Sequence, residues 1–199
     1  MNILKKHTTE IWAQLFLSEN DCLRIRAFLI SEFGLKPRCI VRNMHITLYH
    51  ARRPVPGIVS VTEPASVILP ANETRFMVMS PGGENPRPEL NPSKRKVGIR
   101  VHKQSSAMPA ILKFRDRLLS YETERVLGMR RPSTHKKNAF GARHFQPHMT
   151  ILRAGSNIDR NLNRIGVPFR EVLGDLLFDR FVIDIASRDN GTPTDTPAA

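Results

Sequence analysis

Two short stretches of this chain read MHITL, at residues 44–48, and PHMTIL, at residues 147–152. Each stretch places a histidine two positions before a threonine and surrounds both with apolar residues. Because successive side chains of a β-strand point to opposite faces, His45 and Thr47 share one face of the first strand. His148 and Thr150 share one face of the second strand for the same reason. Each strand therefore presents an imidazole and a hydroxyl to one surface, and its apolar side chains point into a core.

The bare His-x-Thr pattern means little without its surroundings. With seven histidines and eleven threonines in 199 residues, roughly 0.4 matches arise by chance. The triplet His7-Thr8-Thr9 also matches, but it lies in a polar terminus where we predict no strand. The other two matches lie in apolar strands about 100 residues apart, at equivalent places in two similar halves of the chain. We therefore interpret only these two as functional.

The order of predicted elements repeats on the two sides of residues 81–92, a connection with two glycines and four prolines. Before it we predict strands at 11–17, 41–50, 65–69 and 74–80 and a helix at 19–33. After it we predict strands at 97–102, 147–152, 167–173 and 177–187 and helices at 108–127 and 157–165. Each half thus reads strand, helix, strand, strand, strand, and two such halves facing each other form a cleft suited to a ligand.

Composition and charge narrow the classes of function. The chain has 31 Lys and Arg residues against 18 Asp and Glu residues, and the resulting net charge of +13 favours a polyanionic partner such as RNA, DNA or a nucleotide. No basic amphipathic helix and no run of 18 apolar residues stands out, so we expect no membrane association. No signal peptide is recognisable, and Cys22 and Cys39 match no metal-binding spacing. We therefore expect a cytoplasmic protein with reduced thiols.

At this point a family resemblance becomes visible. Residues 145–153 read FQPHMTILR, which resembles the Phe-x-Pro-His-x-Thr-Leu-x-Arg motif of the 2H phosphoesterase superfamily, in its LigT-like branch of 2′-5′ RNA ligases and cyclic phosphodiesterases. Residues 43–48 read NMHITL, which is similar to the Asn-x-His-x-Thr-Leu motif of that branch. The resemblance spans most of the chain. The chain departs from the family pattern at His50, where an apolar residue is usual, and in its long basic segment at 129–144.

The resemblance implies an α+β fold that is bilobal, with two pseudo-symmetric lobes that each have an antiparallel sheet and helices outside, and a cleft between the sheets. The whole chain, 1–199, is then a single domain with lobes at roughly 11–80 and 97–187, and the polar residues 188–199 form a disordered tail. His45, Thr47, His148 and Thr150 are the implied catalytic residues. Arg153 falls on the family's arginine, five positions after the second histidine. Strict alternation puts Arg153 on the face opposite His148, so this role requires a bend in the strand.

Several further residues are candidates for binding substrate. By alternation Tyr49 shares the face of His45, where it either stacks on a base or packs as a core tyrosine. His50 points to the other face and is packed or exposed. Residues 129–144 are strongly cationic, and their Arg131, Lys136 and Arg143 either grip nucleotide phosphates or belong to a solvated loop.

The paired histidines suit acid–base chemistry at a phosphorus. An imidazole titrates near pH 6.5, so one copy can accept a proton from the attacking oxygen while the other donates one to the leaving oxygen. The threonine hydroxyls can hydrogen-bond the phosphate oxygens, and Arg153 can neutralise their charge. No Asp or Glu lies within ten residues of either histidine, so we expect no metal and no other cofactor.

The leading hypothesis is a metal-independent phosphodiesterase that opens a 2′,3′-cyclic phosphate or cleaves a 2′-5′ linkage, with RNA ligation as the reverse reaction. Degradation of cyclic oligonucleotide signals fits the sequence equally well. A non-catalytic RNA-binding module of the same fold is the alternative from another class, and a metal-dependent nuclease is the third. We expect a monomer that needs an RNA or cyclic nucleotide substrate and no obligatory protein partner.

Overall fold

The computed structural model of this protein describes residues 7–51, 54–79, 96–125, 145–153 and 169–189. The named strands and helices within these residues are β1 (His7–Leu17), α1 (Glu19–Phe33), β2 (His45–Ala51), β3 (Val61–Leu69), β4 (Thr74–Met79), β5 (Lys96–Val101), α2 (Met108–Arg125), β6 (His148–Leu152) and β7 (Leu176–Asp189). Single 3-10 turns lie at Pro37–Cys39 and Ala71–Glu73, and residues 169–173 are helical. No helix within the described residues is long and apolar enough to cross a membrane.

The seven strands form one antiparallel sheet in the order β3-β7-β1-β2-β6-β5-β4. A row of cross-strand partners on one face runs through Phe76, Ile99, Met149, Ile46, Leu15 and Phe181. Most of this row is fully buried, because both helices pack on this face. The mixed helix and antiparallel-sheet architecture is thus confirmed, in the form of a single sheet.

The two helices reach the buried face through phenylalanine contacts. Phe28 of α1 meets Phe169, which in turn packs edge-on against Phe76 of β4 with ring centroids 4.6 Å apart. Phe114 of α2 lies 5.0 Å from Phe181 of β7. Each such aromatic pair contributes about 0.5–1.5 kcal/mol beyond the apolar area that it buries. The opposite face of the sheet, whose side chains are half-buried or exposed, is called the open face below.

Helix α1 begins and ends where the sequence predicts. The Ser18 hydroxyl accepts a hydrogen bond from the Asp21 backbone N–H at 3.1 Å, and Gly34 ends the helix with φ at +61°. The buried Asp21 carboxylate accepts a further bond from the Leu177 N–H at 2.8 Å and pairs with Arg24. This carboxylate therefore fixes the start of α1 against β7.

The prediction of a strand at 167–173 is wrong. Residues 169–173 are helical, with Phe169 and Leu173 buried and the three residues between them exposed. Burial at positions four residues apart is the helical spacing, whereas a strand buries every second residue. The stretch is too short for its periodicity alone to separate the two structures. The helix predicted at 157–165 lies outside the described residues.

The sheet also extends beyond the predicted limits at both chain ends. β1 starts at His7, which pairs with Asp189 of β7, so the first His-x-Thr triplet does lie in a strand, contrary to our prediction. It remains far from the other two triplets, because nine residues of extended chain, roughly 30 Å, separate His7 from Phe16, the partner of His45. Because β7 includes residues 188 and 189, the predicted tail begins two residues too early. Residues 190–199 lie outside the described part.

The two predicted halves of the chain do not divide the sheet cleanly. β7, from the second half, lies between β1 and β3 of the first half, and β4, from the first half, pairs with β5 of the second. The halves thus exchange one strand each. Element order along a chain cannot reveal such an exchange, since strand pairing is decided by contacts between residues distant in sequence.

Candidate active site

The two His-x-Thr strands are neighbours at the centre of the sheet. β2 and β6 run antiparallel with Ile46 opposite Met149, both fully buried. Continuing this register by one residue sets His45 opposite Thr150 and Thr47 opposite His148. All four side chains then lie on the open face, where each is half-buried. The fold therefore brings together the four predicted catalytic residues as a square, with each imidazole beside the threonine of the other strand.

The geometry of an antiparallel pair sets the size of the square. Directly opposed side chains of an antiparallel pair lie about 5 Å apart at Cβ, and diagonal ones about 7–8 Å apart at Cα. The two histidines occupy one diagonal and the two threonines the other. A tetrahedral phosphorus placed at the centre has an imidazole on each side and a hydroxyl beside each remaining edge.

Each strand carries an extra residue directly after its His-x-Thr triplet. On β2 the register with β1 shifts so that Leu48 has no opposite residue, and Leu48 and Tyr49 are both buried. On β6 the register with β5 shifts at Ile151 in the same way, and Ile151 and Leu152 are both buried. These β-bulges lie three positions after each histidine and reverse the alternation of faces beyond that point.

The first bulge corrects two sequence predictions. Tyr49 is only 1% exposed and faces the core, so it is not placed to stack on a base at the open face. His50 takes the place predicted for Tyr49, on the same face as His45, and its ring stacks on Trp12 with centroids 3.7 Å apart. Strict alternation failed here because the inserted residue, Leu48, shifts every later side chain by one face.

The second bulge supplies the bend that Arg153 required. Because Leu152 pairs with the buried Val97 and faces the core, the exposed Arg153 turns to the open face. Its backbone N–H donates to the Cys39 carbonyl at 2.8 Å, which holds this end of the strand in place. Arg153 and His50 thus occupy equivalent positions after the two bulges.

Both histidines are oriented by the same hydrogen bond. His45 Nδ1 lies 3.0 Å from the Asn43 carbonyl oxygen, and His148 Nδ1 lies 2.9 Å from the Gln146 carbonyl oxygen. A carbonyl can only accept, so Nδ1 must carry the proton in each ring. In a neutral ring this fixes Nε2 as the nitrogen with the free lone pair, so Nε2 is the nitrogen available to a ligand in both rings.

The environment of His45 changes its titration. Burial lowers the pKa of His45 below its ordinary value of 6.5, the nearby His148 lowers it further, and the Asn43 carbonyl partly opposes this. The ring of Phe16, on the neighbouring strand, lies 5.3 Å from the His45 ring and belongs to this low-polarity environment. At neutral pH the lowered pKa favours the neutral form of His45, which can accept a proton.

Sequence reasoning missed two arginines in the same cross-strand row as His148. Arg100 of β5 pairs directly with His148, and Arg75 of β4 pairs with Arg100, so both lie in the same row of the open face. Arg100 is half-buried and Arg75 is exposed. The alternation of residues 97–102 could have indicated the face of Arg100 within its strand, but only the sheet order shows which strand is its neighbour.

Other predicted binding residues cannot be placed. Arg131, Lys136 and Arg143 lie outside the described residues. Cys22 and Cys39 are both free thiols. In the described part of the chain, no group of three or more His, Cys, Asp or Glu side chains is placed to hold a metal ion.

Comparison with known proteins adds no assignment. No model of a known protein family matches this chain, and no curated protein matches it. The functional argument therefore depends on the residues of the site and on the motifs themselves.

Proposed function

We propose that this protein is a metal-independent phosphodiesterase that acts on RNA or nucleotide substrates with His45 and His148. The observation that supports it best is the square of two imidazoles and two hydroxyls on paired strands, with both Nδ1 atoms engaged by carbonyls. A structural role alone requires neither the matched bulges nor the matched orientation of the two rings. The two motifs also resemble those of the 2H phosphoesterases, with Ile151 in place of the leucine of the second motif.

The reaction follows from this arrangement. In a 2′,3′-cyclic phosphate, a water oxygen attacks phosphorus, and His45 Nε2 accepts the proton that water loses. The bond from phosphorus to one ribose oxygen breaks, and His148 donates a proton from Nε2 to that oxygen. The product is a phosphomonoester with a free neighbouring hydroxyl. We assign the base to His45 because its lowered pKa favours the neutral ring.

The same groups account for the related reactions. In a 2′-5′ linkage the free 3′-hydroxyl takes the place of water, the 5′-oxygen leaves with a proton, and a cyclic phosphate remains. In ligation a 5′-hydroxyl attacks the cyclic phosphate, so the two imidazoles exchange roles. Thr47 and Thr150 donate hydrogen bonds to the non-bridging oxygens, and Arg153 and Arg100 offset their charge.

The bilobal arrangement is part of this proposal. The register between β2 and β6 covers a single pair, whereas β1 and β7 pair along their whole length. A sheet joined so narrowly at its centre can bend there, with β3, β7, β1 and β2 in one lobe and β6, β5 and β4 in the other. The site then lies at the crease. The cytoplasmic location and monomeric state stay predictions.

The test is hydrolysis, in the presence of EDTA, of a 2′,3′-cyclic nucleotide, a 2′-5′ oligoadenylate and several cyclic dinucleotides. Wild type should cleave at least one class, and His148→Gln should not. His7→Gln is the matched control, since His7 belongs to a remote His-x-Thr triplet. If the folded protein cleaves none of them but binds RNA, the non-catalytic RNA-binding alternative is supported. If EDTA abolishes cleavage, the reaction depends on a metal.

A further inference from the structure

A cavity lies at the end of β1 and the start of β2, between helix α1 and the open-face side chains of Phe16 and Arg180. Its volume is about 620 Å³, within the range of roughly 300–1,000 Å³ that small-molecule sites occupy. Phe16 and Asn43, both part of its lining, also touch the catalytic site: the Phe16 ring lies 5.3 Å from His45, and the Asn43 carbonyl accepts the His45 Nδ1–H. The cavity therefore shares two lining residues with the surroundings of His45, and Phe16 lies on the side of His45 away from His148.

The charged side chains of this cavity come from three separate parts of the chain. Arg26 projects from α1, Arg42 from the segment before β2, and Arg180 from β7, while Glu19 and Asp179 supply two carboxylates. Three guanidinium groups against two carboxylates leave one net positive charge. That balance fits one internal phosphodiester, which carries a single negative charge, better than a doubly charged terminal phosphate.

Arg180 stands at the boundary between the cavity and the catalytic square. Its guanidinium carbon lies 5.0 Å from the centre of the Phe16 ring, which on its other side faces His45. One aromatic ring thus separates a guanidinium group from the reacting imidazole. In a nucleotide chain one ribose separates successive phosphates, so a chain that crosses Phe16 from the square brings its next phosphate toward Arg180.

The remaining lining fits the rest of a nucleotide. Phe16 and Leu23 give apolar surface for a sugar or base, and the two carboxylates can accept hydrogen bonds from ribose hydroxyls or base amino groups. Cys22 also lies in the wall, but burial raises the pKa of its thiol, which keeps it protonated and unreactive.

We infer that this cavity is a second nucleotide subsite, which binds the internal phosphodiester next to the scissile phosphate through Arg42 and Arg180. The inference rests on the proposed function and deepens it, because it makes the substrate an oligonucleotide with at least two phosphates rather than a mononucleotide. Arg26 is half-buried and donates to the Ile40 carbonyl at 3.5 Å, so it also supports the fold.

The experiment compares three substrates. One is a nucleoside 2′,3′-cyclic phosphate, the second is a dinucleotide that ends in the same cyclic phosphate, and the third is that dinucleotide with a neutral methylphosphonate internal linkage. Wild type should prefer the charged dinucleotide to both others by about ten-fold or more in kcat/KM, because a hydrogen bond to a charged group is worth that much. In the double variant Arg42→Gln/Arg180→Gln this preference should disappear.

Lys113→Gln is the matched control, because it removes one positive charge from the exposed surface of α2, and it should keep the preference. Equal kcat/KM of wild type for all three substrates overturns the inference, and so does a double variant that retains the preference.

If no substrate is hydrolysed, the proposed function fails, and binding still decides the subsite. Fluorescence anisotropy then measures the affinity of the labelled charged dinucleotide and of its methylphosphonate analogue. A charge-dependent difference that the double variant abolishes supports the subsite, and equal affinities overturn it.

Discussion

His45 on β2 and His148 on β6 have the same local structure but different neighbours. Each ring is half-buried, each Nδ1 donates to the carbonyl two residues earlier, and each strand has a bulge three residues after its histidine. Beside His45, however, β1 supplies the aromatic ring of Phe16, whereas beside His148, β5 supplies the guanidinium group of Arg100. Identical backbone settings thus give two imidazoles in environments of different polarity. In the proposed reaction, this difference assigns the base to His45 and the acid to His148.

The strongest test of this comparison separates the roles of the two histidines. His45→Gln and His148→Gln should each lower kcat by about 10²–10⁴-fold on a nucleotide substrate. On a phosphodiester with an acidic phenol as leaving group, His148→Gln should recover much of its loss, because such an oxygen leaves without a proton. His45→Gln should not recover. The opposite pattern assigns the base to His148, and steady-state kinetics on both substrates decides it.

Thr47 and Thr150 occupy the other diagonal of the square. Thr47→Val and Thr150→Val keep the shape of the side chain but remove the hydrogen bond to the phosphate, and each should lower kcat by about 10–10²-fold. Thr62→Val on β3 is the control, because Thr62 is exposed and lies three strands from β2. Losses that appear in KM alone would mean that the hydroxyls bind the ground state and the transition state equally.

Substitutions of Arg153 and His50, which occupy equivalent positions after the two bulges, should differ in their effect on activity. Arg153→Gln removes a cation from the open face beside the phosphate and should lower kcat/KM by about ten-fold. His50→Gln removes a ring that stacks on Trp12, and its effect should be smaller, since no charge is lost. Equal losses for both variants, measured on one substrate, would show that the two halves of the site bind substrate symmetrically.

The smallest expected effect concerns pH. Because burial lowers the pKa of His45 in the folded protein, the unfolded chain, with its pKa near 6.5, binds the proton at higher pH. The free energy of unfolding should therefore decrease as pH falls below about 6.5. The decrease should stop once the pH is below the lowered pKa of His45 in the folded protein. Urea denaturation at a series of pH values between 5 and 8 measures this dependence, which His45→Gln should flatten. An unchanged dependence in that variant would show that other groups are responsible.

The His148→Gln variant adds a direct check on His45. The neighbouring imidazole contributes to the lowering of the His45 pKa, after burial, so its removal should move the NMR titration of His45 upward. A downward shift would mean that the two rings do not interact as like charges.

The sequence by itself predicted the two histidine strands, the faces of His45, Thr47, His148 and Thr150, and the limits of α1. These features depend on interactions between residues close in the chain: alternation along a strand, the Ser18 cap and the Gly34 terminus. They can be predicted from the sequence because the interacting residues lie within a few positions of each other in the chain.

Only the tertiary structure decided the rest. The bulges at Leu48 and Ile151 moved Tyr49 into the core and Arg153 to the open face. A bulge is an extra residue in one strand relative to its neighbour, so it depends on how the two strands pair. The sheet order set Arg100 beside His148, and the packing of α1 against the sheet brought Arg26, Arg42 and Arg180 around one cavity. Such neighbours are distant in sequence, and nothing local records which strands will meet.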